Sequence, residues 1–549
     1  MSLTSPSRGY PLERIAGDIG TMSATVDQVE VVLEHLRVLR GASGQASGLP
    51  GRGQAVTAVR SAARDILSTI GPHVAVAQTL STVLTSYAKA HDEHATRANA
   101  LIDEIAALHA TREALSVASD EAGRAALAAS WEDDPVATQR AEDAAADLIT
   151  ERRRAQDDLD DLWGRYEFHF GAWDEAYDAA IHALCGGVAV SISHESRDLL
   201  EDLLAADTPR DVLVLWFLHP GLQEELIEAH PAILGGMDGL PVAVRVTANQ
   251  RCASAWIDAA QEELDQEPEG SDRAAFLEKE LAYLRLVRSG DVQLYLYDRD
   301  FSRIVEVIGD LATPPERVLT YVPGTFTSLA DFYTGSVQEI GSEMVRAAPG
   351  TVAFVYKDGL FPGEDPDVGG MNLTRIGEAN DPERAADAGR QLARFASGMR
   401  VDPALGDAEQ DAFGFSWGLA NVTSSEVAGA EFDKVVSLAG AGMPPEWTPD
   451  PDTIYADLSY RDVLQEGQHL GVVWGGNNPR LHPAFEHGDY YTGPDDDVLD
   501  RADAGSLGRP TVSIPPDYFR VLTENHSLIS TDDPANEDAL RDMRELVKR

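Results

Sequence analysis

Gly414-Phe415-Ser416-Trp417-Gly418 is the stretch on which the reading of this 549-residue chain turns. It has the form Gly-x-Ser-x-Gly, in which a serine is held on a sharp turn between a strand and a helix. Such a turn forces strained backbone angles on the serine and leaves almost no room for side chains two residues before and after it. In a chain with 46 glycines the pattern alone is a weak signal. Its surroundings decide what it means.

Immediately outward, Asp411-Ala412-Phe413 reads as a short strand entering the turn and 419–428 as the helix leaving it. The Trp417 amide, at the start of that helix, is a candidate donor to a developing oxyanion, aided by the helix dipole. Further out, strand and helix patterns alternate from about residue 291 onward. Residues 293–298 and 304–309 read as a hairpin of opening strands, followed by strands at 317–322, 351–356, 432–438 and 453–459. Residues 383–399 read as a helix. The long Gly/Pro/Asp-rich connection 357–381 is a candidate rim or lid. This alternation predicts an α/β fold with a largely parallel sheet and helices on both faces.

Upstream of the strands lies the string His230-Pro231-Ala232-Ile233-Leu234-Gly235-Gly236-Met237-Asp238-Gly239-Leu240-Pro241-Val242-Ala243-Val244-Arg245, followed by Ala248-Asn249. The string resembles an actinobacterial family of alpha/beta hydrolases without an assigned physiological function, of the domain of unknown function 1023 type. The string itself reads as a helix-turn-helix packing onto the catalytic domain. The resemblance implies an α/β-hydrolase-like sheet. It also implies that the loop after the third strand, Pro323-Gly324-Thr325-Phe326-Thr327-Ser328, supplies an oxyanion donor from the amide of Thr325 or Phe326. Family members commonly carry a histidine where this chain has Phe415 and a tyrosine where it has Trp417. Both departures are expected to reshape the acyl pocket.

Hydrolases of this kind run in the order Ser, Asp, His. The resemblance puts the acid at Asp462, in Tyr460-Arg461-Asp462-Val463, although the family's flanking Gly and Pro are missing; Asp457, within the 453–459 strand, is the alternative. Of the downstream histidines, His469 and His482 flank a Gly/Asn-rich loop. His526 follows a strand-like 512–522 stretch and precedes a terminal helix at 536–547, as the family's histidine does; His487 is the other choice. The expected chemistry is a serine hydrolase acting on a small or lipid-like carboxylester or thioester through Ser416, Asp462 and His526. It requires no metal or cofactor. The acidic run Asp495-Asp496-Asp497 has the composition of a solvated loop rather than a calcium site.

The bulk properties set outer bounds. Acidic residues outnumber basic ones 92 to 44, for a formal net charge of −48, which disfavours nucleic acid and anionic lipid as partners. No apolar run approaches a membrane span and no Sec-type leader is visible, so the expectation is a cytoplasmic protein or one exported without such a signal. Cys185 and Cys252 are too few and too far apart for a disulfide framework.

The first third carries no chemistry. Met22, Val26, Val29, Leu33 and Leu36 mark one helix face, and 41–53 reads as a loop. Helices at about 72–117 and 134–184 then form a hairpin. Its apolar stripes are Val76, Leu80, Val83, Tyr87, Leu101, Ile105 and Leu108 against Leu159, Leu162, Tyr166, Phe170, Trp173, Tyr177, Ile181 and Leu184, and Gly186-Gly187 supplies the stop. The hairpin resembles the helical modules of WXG-type secretion substrates, but Trp163 and Gly164 are adjacent and lie within the second helix. The expected organisation is a helical module at 1–185 able to dock a protein partner, a helical connector at 186–290 and a catalytic domain at 291–549. A competing expectation makes the hydrolase fold a silent scaffold and the helical module the working part, in protein interaction or signal-less secretion.

Overall fold

A computed structural model describes residues 3–50, 54–131, 135–184, 192–365, 367–469, 471, 473–506 and 517–549. Cys185 and the Gly186-Gly187 stop lie outside the described residues. The chain divides into two compact units, Met1–Ala189 and Val190–Arg549.

The first unit is helical: Ile19–Ser47, Gln54–Ala90, Thr96–Ala129 and Pro135–Leu184, with a π-helical turn His91–Ala95 joining the second and third. Alanine-rich, proline-poor sequence lets these helices run longer than their apolar stripes suggest. The first helix passes through Gly41 and Gly44 instead of ending there, and the second begins well before Pro72. Ala98, Leu101, Ile105, Leu159, Trp163, Tyr166, Phe170 and Trp173 form one core. Val76, expected on the buried stripe, is 48% exposed; Val74 and Ala77 are buried with Leu33, because the first helix covers that face. The N-terminal arm is tied down by polar contacts. Tyr166 donates to the Pro11 carbonyl at 2.7 Å, and Glu167 accepts from the Ser7 and Arg8 amides.

The second unit is built on an eight-stranded sheet. Its strands are β1 Gln293–Asp298, β2 Arg303–Ile308, β3 Arg317–Val322, β4 Thr351–Asp358, β5 Glu409–Phe415, β6 Lys434–Leu438, β7 Ile454–Leu458 and β8 Phe485–His487. The spatial order is β1-β2-β4-β3-β5-β6-β7-β8. The β1–β2 and β2–β4 pairs are antiparallel and all the others parallel. β8 escaped the sequence reading because only one of its three residues is buried.

Period-two alternation sorts each strand between two cores. Leu319, Tyr321, Ala353, Val355, Phe413 and Val436 face one side, where they meet Asp272–Ser289 and the terminal helix Glu537–Lys548. Val318, Val322, Phe354, Ala412 and Val435 face the other, against Pro382–Val401 and Trp417–Val427. The result is a three-layer α/β unit with a mostly parallel sheet.

The string at 230–249 clamps the helix Val242–Leu264 to β1. Arg245 is buried; it donates to the Gly235 carbonyl, pairs with Asp238 at 2.8 Å and lies 3.6 Å from the Tyr295 ring centroid. Asn249 donates to the carbonyls of Gly235 and Tyr295. A Cβ on Gly235 would sit 2.3 Å from Asn249 Oδ1, so a side chain there is excluded.

Candidate active site

β5 is seven residues long rather than three, and the helix after it begins at Trp417, directly behind the serine. Ser416 holds φ 53° and ψ −120°, a sparsely populated region for a residue with a side chain. Both flanking glycines are sterically required. A Cβ on Gly414 would lie 2.6 Å from Leu419 Cα, and one on Gly418 would lie 2.1 Å from the Val322 carbonyl oxygen. The strain is held by the end of β6 and the loop after it, since the Ser416 amide donates to Leu438 O and its carbonyl accepts from the Ala441 amide.

A loop and a helix bring the partners. Asp462 follows β7 and precedes the helix Val463–His469. Its side chain is fully buried; Oδ1 accepts from the amides of Leu464 (2.9 Å) and Gln465 (3.0 Å), leaving Oδ2 to aim elsewhere. Oδ2 lies 2.8 Å from His526 Nδ1, and His526 Nε2 lies 3.0 Å from Ser416 Oγ. With Nδ1–H toward the carboxylate, the Nε2 lone pair faces the hydroxyl and can accept its proton. Ser416, His526 and Asp462 are thus continuous by hydrogen bonds.

The alternatives lie apart from this chain of contacts. Asp457 accepts from Ser437 Oγ at 2.6 Å and faces Arg480 at 3.6 Å. His487 is on the edge strand β8, its Nδ1 against the Phe485 carbonyl. His526 sits not after a strand but in the last turn of a helix, Tyr518–Leu528; the expected strand at 512–522 is overturned at its described residues, and 512–516 lie outside them. The physical reason is periodicity: Val521, Leu522 and Asn525 fall on one helical face and are buried there.

Sequence reasoning missed what fastens that helix. Asn525 Nδ2 donates to the Arg461 carbonyl (2.9 Å) and to Asp496 Oδ1 (2.8 Å), which ties the histidine's helix to the aspartate's loop. Asp496 also accepts from the Gly493 amide, so one carboxylate of the supposedly solvated run is a structural acceptor. Phe415, one of the two departures expected to reshape the acyl pocket, packs its ring on His526 with centroids 5.1 Å apart. Trp417 turns into the core, 1% exposed, with its ring 5.0 Å from that of Phe361.

The backbone donors also separate. Trp417 is the first residue of its helix, where an N–H has no intrahelical acceptor. In the loop after β3, Phe326 was one of two candidates, but its N–H donates to the Pro362 carbonyl at 2.8 Å and is therefore taken. Among the described residues no acceptor is found for the Thr325 N–H. Gly324 permits the approach, because a Cβ there would lie 2.8 Å from Ser416 Cβ. At the far end of the Trp417–Val427 helix, burial pushes Glu426 up to about 7, opposed by hydrogen bonds from Tyr455 (2.6 Å) and Trp447 (2.8 Å).

No family model and no curated protein matches the chain. Among solved structures, it is similar to the dienelactone hydrolase-like promiscuous phosphotriesterase P91 from metagenomic libraries, at 16% identity over 46% of this chain and 95% of that one, TM-score 0.26. It is likewise similar to m3DLH, at 15% identity over 45% of this chain and 92% of that one, TM-score 0.27. No helix among the described residues is long and apolar enough to cross a membrane.

Proposed function

We propose that the second unit is a serine hydrolase of the alpha/beta-hydrolase type, cleaving an ester-type bond through a covalent acyl-enzyme. The observation that carries this reading is the unbroken line Asp462 Oδ2, His526, Ser416 Oγ, at 2.8 and 3.0 Å, on a strained turn. His526 takes the Ser416 proton as Oγ attacks the carbonyl carbon. The amides of Trp417 and Thr325 receive the negative charge on the former carbonyl oxygen. His526 then gives its proton to the leaving group, and a water activated by the same ring releases the acid and restores the serine. Asp462 fixes the ring's tautomer and stabilises its charged form without being protonated.

The resemblance carried by residues 230–249 supports the same class, and the substrate class we propose is a small or lipid-like carboxylester or thioester. The test is turnover of a short-chain aryl ester. His526→Ala is expected to lower kcat by about 10⁴-fold or more, while His487→Ala stays within about threefold of the wild type. Loss of turnover only in His487→Ala overturns the assignment.

A further inference from the structure

Lys357 and Glu364 form a buried ion pair that the acyl-transfer chemistry does not touch. Their side chains are 0% and 1% exposed, with Nζ 2.9 Å from Oε2. The ammonium also donates to the Ser302 carbonyl and hydroxyl, each at 2.7 Å, and to the Gly359 carbonyl at 2.8 Å. Glu364 accepts from the Phe361 amide at 3.0 Å and from Ser302 Oγ at 2.5 Å. Every polar atom of the pair is satisfied, and the contacts close residues 359–364 into a tight turn. Taking two charges out of water is costly, and a well-packed apolar pair would serve stability as well or better. The pair therefore calls for a role in geometry.

That geometry is on the other side of the turn. The Pro362 carbonyl accepts the Phe326 N–H. Gly363, at φ 75°, leaves space for the Phe326 ring, which a Cβ would meet at 2.5 Å. Phe361 packs edge-on against Trp417. Phe326 itself is held at φ 71°, unusual for a bulky residue, and its amide is anchored outside its own loop by the Pro362 carbonyl. One turn thus touches the residue that follows Thr325 and the residue that bears the second free N–H.

We propose that the Lys357–Glu364 pair is a positioning device for the oxyanion donors: it fixes the 359–364 turn, which consumes the Phe326 N–H and presents those of Thr325 and Trp417. This rests on the acyl-transfer reading of Ser416. Neither charged group reaches substrate; both act through the turn.

The test compares full-length Lys357→Met, Glu364→Gln and the double variant Lys357→Met/Glu364→Leu. It measures kcat and KM on a short-chain ester, and hydrogen exchange of the peptide containing Phe326. Lys357→Met is expected to lower kcat about 100-fold, the size of one lost oxyanion donor, with KM within about threefold. Exchange at Phe326 should accelerate at least about tenfold, as its acceptor is released. Glu364→Gln can still accept from the Phe361 amide through its one oxygen while its NH2 donates to Ser302 Oγ, and should retain most of kcat. The double variant should regain thermal stability without regaining kcat, which a merely structural pair would not do. Should Lys357→Met fail to fold, the double variant decides by the same two readouts. Wild-type kcat in a folded Lys357→Met or double variant, or unchanged exchange at Phe326, overturns the proposal. If the wild type shows no Ser416-dependent turnover, the acyl-transfer reading fails by itself, and the exchange measurement still decides whether the pair holds the turn.

Discussion

The two units differ in where they keep strained backbone. Among the described residues, the non-glycine positions with positive φ are Ser302, Phe326, Ser416, Ala439 and Trp474, and all lie in the sheet unit. Phe326, Ser416 and Ala439 directly follow or closely follow the C-terminal ends of β3, β5 and β6. The helical unit instead stacks long regular helices on an aromatic core. Among its described residues, no non-glycine position is held at positive φ. Strained turns pinned by a parallel sheet place single atoms, and the proposed chemistry sits there.

That contrast predicts where substitutions act on rate and where on stability alone. After His526→Ala, the largest effect is expected from Asp462→Asn, which keeps the shape but lets the ring take the wrong tautomer. Turnover should fall about 10³- to 10⁴-fold, while Asp457→Asn remains within about threefold. Equal losses in the two variants would remove the distinction drawn between them. Next, Gly324→Ala pushes a methyl group against Ser416 Cβ and should cost about 10- to 100-fold in kcat with little change in melting temperature.

In the helical unit the signs reverse. Phe170 is fully buried, packed on Tyr10, Tyr166 and Trp173. Phe170→Ala should destabilise that unit by about 3–5 kcal/mol in calorimetry, with ester turnover unchanged within about twofold. A parallel loss of turnover would show that the comparison is drawn too sharply.

The smallest effect is a pH slope. Glu426 is held near 7 in the folded chain against an ordinary 4.5. Between those values the unfolded chain has released a proton that the folded chain still binds. Stability therefore falls as pH rises through this window, and the loss is complete above about 7. Glu426→Gln should flatten this slope by about 1–3 kcal/mol, read from urea midpoints at pH 4 and pH 8.

Features that are local in the chain were legible before any coordinates. The Gly-x-Ser-x-Gly spacing and the alternation behind the mostly parallel sheet are such patterns, whereas Asp462 and His526 came from the family resemblance and the order Ser, Asp, His that it implies. Distances across the fold were not. Asn525 reaching Asp496, Pro362 consuming the Phe326 amide and Phe415 lying on His526 each join segments with no shared signature. The helix carrying His526 was misread because aromatic and β-branched residues at 512–522 imitate a strand. Its burial at Val521, Leu522 and Asn525 follows the helical period instead.

The central claim is that Ser416 is an activated nucleophile. It is tested most directly by treating the full chain with a fluorophosphonate and mapping the adduct by mass spectrometry. The account predicts one adduct, on the peptide containing Ser416, absent from Ser416→Ala and formed at least about 100-fold more slowly in His526→Ala. Equal labelling of wild type and Ser416→Ala would contradict it.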